Sequence, residues 1–243
     1  MQFSRPSHKV LVLILVLLGM GSFASAAIIA PPPPNFQMMM QVGTGAPYGL
    51  DATVTPVQDG DNWKYQIDGS YNQHGYQMTL HYVIDPDPTI TGNVVITNLT
   101  ASTQNYALTF NLPVVPRFNP SLLNGSVGLT TTADSTAATV ATVAPDPIYA
   151  ALIDGVTVRK LLDNPFSLSA PAFDSAVATD KFGIPAPIGG GAVNASIGIN
   201  LRFSVTPGDQ AGITSQFTAN PVPEPSSLLT LAIGGLALVR RRK

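Results

Sequence analysis

Tyr76-Gln77-Met78-Thr79-Leu80-His81-Tyr82-Val83-Ile84 decides the fold. Tyr76, Met78, Leu80, Tyr82 and Ile84 fall on one side of an extended chain, with Gln77, Thr79, His81 and Val83 on the other. A period of two is the repeat of a half-buried β-strand, because successive side chains point to opposite faces. The same alternation recurs on both sides of this stretch. Trp63, Tyr65 and Ile67 alternate with Lys64, Gln66 and Asp68; Tyr106, Leu108, Phe110 and Leu112 with Ala107, Thr109 and Asn111. Near the end, Ile197, Ile199, Leu201, Phe203 and Val205 alternate with Gly198, Asn200, Arg202 and Ser204. Each run gives one apolar and one polar face, as in antiparallel sheets with one wet side.

Gly, Pro, Asp and Asn punctuate these runs. Asn93–Leu99, a Thr100-Ala-Ser-Thr103 turn and Gln104–Leu112 read as a hairpin, and further strands are expected near Ser126–Thr132, Thr136–Val143, Gly155–Leu162 and Ile213–Thr218. Met38-Met39-Met40 reads as a first strand or a core plug, after a stiff Pro31–Pro34 leader that favours polyproline II. Ala170–Gly191, rich in Ala, Pro and Gly, reads as a long surface excursion. The fold class is all-β: an antiparallel β-sandwich, Ig-like or jelly-roll-like, flanked by an N-terminal signal helix and a C-terminal hydrophobic helix. Domain bounds follow as a signal peptide over 1–26, a leader and first strand over 27–44, the sandwich over 45–219 and a C-terminal signal over 220–243. One enlarged sandwich fits this length; a second small domain beginning near Pro145 is the alternative.

Composition agrees. Charged residues make up 11% of the chain, against about 25% in ordinary domains. Hydrophobic residues reach 45%, so low charge here marks a Thr, Ser, Asn and Gln surface and not disorder. Thirteen of the 14 acidic residues are aspartates, many beside Gly, Pro or Asn; the one glutamate is Glu224, near the C-terminus. Asp serves turns and Glu serves helix interiors, so a body without Glu is not helical. The body carries six basic residues against 13 aspartates, a formal charge of −7. Nucleic acid needs clustered Lys and Arg and is excluded as a partner.

The two ends read as addresses. Arg5 and Lys9 precede the apolar run Val10–Leu18, and Ala24-Ser25-Ala26 stands before Ala27. That is the order of a secretory signal peptide, with cleavage placed at Ala24, Ala26 and Ala27. The run is well short of the roughly 20 residues a transmembrane helix needs. No twin-arginine pair occurs, so the Sec translocon and signal peptidase are the expected partners. Absence of cysteine excludes a lipoprotein anchor.

At the other end, Val222-Pro223-Glu224-Pro225-Ser226-Ser227 leads into the apolar run 228–239 and then Arg240, Arg241, Arg242 and Lys243. Twelve helical residues span about 18 Å, short of a hydrocarbon core of roughly 30 Å. Snorkelling arginines and local bilayer thinning extend that reach. The positive-inside rule keeps the basic end cytoplasmic, so it acts as a stop-transfer signal with the body outside. Motif, short helix and basic end together resemble the PEP-CTERM sorting signal, in which Pro223, Glu224 and Pro225 match the motif position by position. The resemblance implies processing by an exosortase, a membrane protease-transpeptidase. It also implies an inner-membrane intermediate, then delivery to the surface or extracellular matrix of a Gram-negative, exopolysaccharide-producing bacterium. Similar tails also carry the label of an ice-binding protein C-terminal domain, which says nothing about the activity of this body.

No catalytic constellation emerges. After export only His74, in an Asn-Gln-His-Gly turn, and His81, on the polar face of a strand, remain as bases. There is no Gly-x-Ser-x-Gly elbow to hold a nucleophile. A carboxylate-pair glycosidase would have to use two aspartates, and no spacing singles out a pair. Gly189-Gly190-Gly191 lacks the Lys-Ser/Thr of a phosphate loop. The chain is therefore expected not to be an enzyme and to carry no cofactor. Calcium is the one ion to weigh, because Asp59 with Asp61 and Asp85 with Asp87 place carboxylates two apart in turns. Turn chemistry is the preferred reading of those aspartates.

Thr130-Thr131-Thr132 with Thr136, Thr139 and Thr142 is too irregular for an ice-binding array and reads as a polar sheet face. Trp63 with Tyr65 or Tyr71 offers a sugar-stacking platform, although strand aromatics usually belong to the core. Asn98-Leu-Thr, Asn124-Gly-Ser and Asn194-Ala-Ser are glycosylation sequons. The expected function is a non-enzymatic surface or matrix protein associated with exopolysaccharide and biofilm. A secreted hydrolase with an unrecognised site, or a self-assembling envelope subunit, are the alternatives.

Overall fold

A computed structural model describes residues 30–73 and 75–222. Sixteen strands are described: β1 Gln37–Val42, β2 Tyr48–Gly49, β3 Thr53–Asp59, β4 Asn62–Gln73, β5 Tyr76–Asp85, β6 Thr89–Asn98, β7 Gln104–Pro113 and β8 Ser121–Thr132. They continue with β9 Ala138–Ala141, β10 Tyr149–Ile153, β11 Val156–Leu161, β12 Ser167–Ala170, β13 Ser175–Phe182, β14 Ile188–Gly190, β15 Ser196–Val205 and β16 Gln210–Pro221. No helix occurs among the described residues. The two helices expected at the chain ends lie outside them.

All pairings are antiparallel, in two sheets. Sheet I has the order β11-β10-β15-β7-β1-β2, with β9 alongside β15 and β12 alongside β9. Sheet II has the order β13-β8-β16-β6-β5-β4-β3, with β14 on β8. Strands from both sides of Pro145 contribute to both sheets. The apolar positions read from the alternation form the layer between the sheets. Tyr76, Met78, Leu80, Tyr82 and Ile84 of β5 are buried, and so are Tyr106, Leu108, Phe110 and Leu112 of β7 and the odd-numbered apolar residues of β15. Tyr82 stacks on Phe110 across the gap. The Tyr149 hydroxyl reaches from sheet I to the Gln216 carbonyl of sheet II at 2.8 Å, which gives a buried phenol the partner it needs.

The predicted hairpin between Asn93–Leu99 and Gln104–Leu112 is not formed. β6 lies in sheet II between β5 and β16, whereas β7 lies in sheet I between β15 and β1. The Thr100–Thr103 segment is a corner that changes sheets. Alternation specifies which face of a strand is buried but not its partner, and β6 has no free edge for β7 to join. Asn98 fixes the corner from a fully buried position. Its amide donates to the carbonyls of Ser102, Val205 and Thr206, and its Oδ1 accepts from the Thr100 backbone N–H and hydroxyl.

The Ala170–Gly191 excursion is also more regular than its composition suggested. β13 runs along β8 for eight residue pairs and β14 extends the same edge. Phe182 of β13 covers Gly125 of β8, where an added Cβ would lie 2.6 Å from the ring. An aromatic laid over a strand glycine fills the missing side-chain volume. Met38 and Met40 are core residues of β1 and Met39 faces out, so the methionine run is a strand. The proline leader is docked, since the buried Tyr65 donates its hydroxyl to the Pro31 carbonyl at 3.0 Å and Phe36 stacks on Phe110. At the opposite edge β3 is exposed along its whole length, and Pro56 removes one N–H from it. Proline on an edge strand discourages further strand addition.

Candidate functional site: the outer face of sheet II

In sheet II, β8, β16 and β6 are consecutive neighbours. Their pairing register places even-numbered positions of β8 and β16 and odd-numbered positions of β6 on the outer face. Not one of those outward positions is Asp, Glu, Lys, Arg or His. The face is built from hydroxyls and amides, with Thr130, Thr214, Gln216 and Asn93 near its centre. Thr and Ser hydroxyls and Asn and Gln amides each donate and accept hydrogen bonds, so the face matches a neutral partner with both functions.

A trough of about 460 Å³ opens between this face and β13, lined by Ser126, Gly128 and Thr214 and, from β13, by Thr179, Asp180 and Lys181. Its depth comes from glycine. The glycines within the longer strands are Gly69, Gly92, Gly125, Gly128, Gly198 and Gly212. Four of them are occupied: a Cβ at Gly69, Gly92, Gly125 or Gly198 would come within 2.8 Å of a neighbour. Gly128 and Gly212 are open, with no neighbouring atom closer than 3.9 Å. They are diagonal across β8 and β16, opposite Thr214 and Thr130 respectively. Glycine in a strand interior weakens the strand and often marks the close approach of another molecule. A second hollow of about 490 Å³ lies on sheet I, beside Thr109, Asn111 and Asp154, and its rim includes the apolar Met39 and Leu152.

Of the aspartates weighed for calcium, Asp59 and Asp85 lie beside the Lys64 ammonium. Lys64 contacts Asp59 at 2.5 Å and lies 4.0 Å from Asp85. The hydrogen bond and charge of Lys64 hold the Asp59 carboxyl below its ordinary value, and Asp59 raises that of Lys64. Asp85 also accepts the Asp87 backbone N–H at 3.0 Å, a side-chain turn. Asp61 makes no ion pair among the described residues. No group of three or more Asp, Glu, His or Cys side chains converges among the described residues.

His81 lies on the outer face of β5, as its alternation indicated, with Nδ1 2.7 Å from Asp68 across β4. That bond, then one from Gln66, holds the Asp68 carboxyl below its usual range. His74 lies outside the described residues. Tyr65 is buried, and Trp63 and Tyr71 pack against the core from the same side of β4, so the three do not form an exposed platform. Thr130 and Thr132 face out while Thr131 is buried, and Thr139 belongs to sheet I; these threonines do not share one face. Of the sequons, Asn98 is buried with its amide engaged, and the Asn194 amide donates to Asp154 at 3.0 Å.

Asp154, which was not singled out in the sequence, joins the β10–β11 turn to the start of β15. Its carboxylate accepts the backbone N–H groups of Asn194, Ala195 and Ser196. Partial burial pushes its pKa up, but the hydrogen bonds from Ser196, Ala195 and Asn194 outweigh that and leave it lowered. Gly128, Gly212 and Thr214 were also missed. Their strands were recognised, but their adjacency depends on the pairing of β8 with β16, about 80 residues apart, which no local pattern reveals.

The signal-cleavage residues Ala24, Ala26 and Ala27, the motif residues Pro223, Glu224 and Pro225, and the basic end Arg240 to Lys243 all lie outside the described residues. Residues 221–243 match the PEP-CTERM protein-sorting motif. No curated protein matches the chain. The motif implies an exported protein tied to the membrane and cell surface and processed by an exosortase.

Proposed function

We propose that the body is a non-enzymatic polysaccharide-binding module of the cell surface or extracellular matrix, held against neutral stretches of exopolysaccharide by the outer face of sheet II. The observation that carries this reading is the hydroxyl and amide face of β8, β16 and β6, with the trough at Gly128 and the open Gly212 beside it. Sugar hydroxyls need donors and acceptors in equal supply, and these three strands offer both, with Asp180 and Lys181 of β13 as the charged rim of the trough. A body at −7 disfavours polyanions through long-range repulsion. A shallow face gives modest affinity per site, and a repeating polymer compensates through many weak contacts. The route is export through the Sec translocon and removal of the leader by signal peptidase. A transient inner-membrane stage follows, with release by an exosortase into a biofilm matrix of a Gram-negative cell.

Co-sedimentation of the purified protein with neutral and with polyuronate polysaccharides tests the reading. Saturable binding to the neutral polymer, unchanged by chelator, supports it; binding only to the polyanion, or to neither, removes it. One observation favours a second reading, a hydrolase: the His81–Asp68 contact at 2.7 Å is the base-and-orienter half of a triad. Ester or glycoside turnover that disappears in His81→Ala is the result that would establish it.

A further inference from the structure

The sorting motif is joined to the folded body without a spacer. The match begins at Pro221, and Pro221 is still the last residue of β16, paired with Ser121 of β8. Val222 donates its N–H to the Pro120 carbonyl at 3.2 Å. Ser121, fully buried, is itself tied to the Gly191 carbonyl at 2.7 Å. Pro223 of the motif therefore follows directly on a residue hydrogen-bonded into the sheet. Val222 and the start of the apolar run at Leu228 are six residues apart, a reach of at most about 20 Å.

This end of β16 is also its weakest part. On the β6 side, register pairing stops at Thr218 with Thr89, and Ala219 makes the last backbone bond, to the Pro88 carbonyl at 3.1 Å. Asn220 and Pro221 pair with β8 alone, and Val222 bonds Pro120 just before it. Segments bonded on one side open at lower free energy than strands bonded on both. Enzymes that act on peptide bonds commonly grip an extended backbone through its own N–H and C=O groups. Here those groups are partly committed to β8 and to Pro120 just before it, up to Val222, the residue before Pro223.

We infer that the exosortase gains its hold on the motif only when Asn220–Val222 unzip from β8 and Pro120, so that the folded end of the sandwich meters processing of its own tail. The inference is independent of what the outer face of sheet II binds.

The chain contains no cysteine, so an engineered pair forms a single defined bridge. Leu122 and Asn220 are register partners on the outer face of β8 and β16. Full-length L122C/N220C is expressed in the exosortase-bearing cell, and precursor and processed masses are followed over time. In the oxidised chain the processed form is expected to be lost and the precursor to accumulate, while each single-cysteine chain is processed like the parent. Ten Gly-Ser residues inserted between Val222 and Pro223 are expected to restore processing to the bridged chain. Placed in the otherwise unaltered chain, which needs no bridge to fold, the same spacer is expected to speed processing. Processing of the bridged chain at the single-cysteine rate, failure of the spacer to restore it, or an unchanged rate for the spacer alone would each overturn the inference.

Discussion

Tyr82 of sheet II and Phe110 of sheet I stack with ring centroids 4.2 Å apart, both fully buried, and this contact ties the two layers together at the middle of the core. Phe36 also stacks on Phe110, with centroids 6.3 Å apart, so one ring also fixes the leader. Phe110→Ala is expected to destabilise the protein by about 3–5 kcal/mol through lost burial and the cavity left behind. The shift of the urea midpoint, with an unchanged slope, measures it.

Asn98 is expected to be the most sensitive polar residue of the fold. Asn98→Ala leaves the Val205 carbonyl without this partner at a buried corner, at a cost of about 1–3 kcal/mol. Asn98→Asp keeps the shape but removes the donor, and is expected to be at least as damaging. Thermal unfolding of both variants against the parent checks this. A variant as stable as the parent would show that the corner is held by its backbone alone.

Residues with strict alternation placed themselves: every apolar residue of β5 and β7 read as inward is buried. What alternation lacks is the partner. Asn93–Leu99 and Gln104–Leu112 have the pattern of a hairpin, yet Asn98 sends them into different sheets. β13 was obscured for a different reason. It is an exposed edge strand whose Ala and Thr residues carry little hydrophobic contrast, so neither face stands out in the sequence. For the site, His81 and the aspartate turns were visible as residue types. Lys64 between Asp59 and Asp85, and the open glycine pair, arise only when distant strands pair.

Asp154 gives a pH signature. Its pKa is lowered in the folded state, so its contribution to stability is fully present above the unfolded carboxyl value of about 3.9 and is lost as pH falls through the lower folded value. Asp154→Asn is expected to cost about 1–2 kcal/mol near neutral pH, a figure kept small because the side chain is part-exposed. The difference between parent and variant should shrink below about pH 4. Urea midpoints at pH 6, 4 and 3 test this; a difference that grows on acidification would contradict it.

The trough at Gly128 carries the account of function, and filling it should separate stability from binding. Nothing lies within 3.9 Å of a Cβ built at Gly128 or Gly212, and both are flanked by threonines. Threonine at either position suits a strand better than glycine, by up to about 1 kcal/mol. The decisive measurement is therefore the affinity of Gly128→Thr/Gly212→Thr for the neutral exopolysaccharide, read beside its melting temperature. The expected result is a protein at least as stable as the parent that binds the polymer tenfold or more weakly, about 1.4 kcal/mol. Undiminished binding by a fully folded variant would contradict the assignment of the outer face of sheet II as the binding surface.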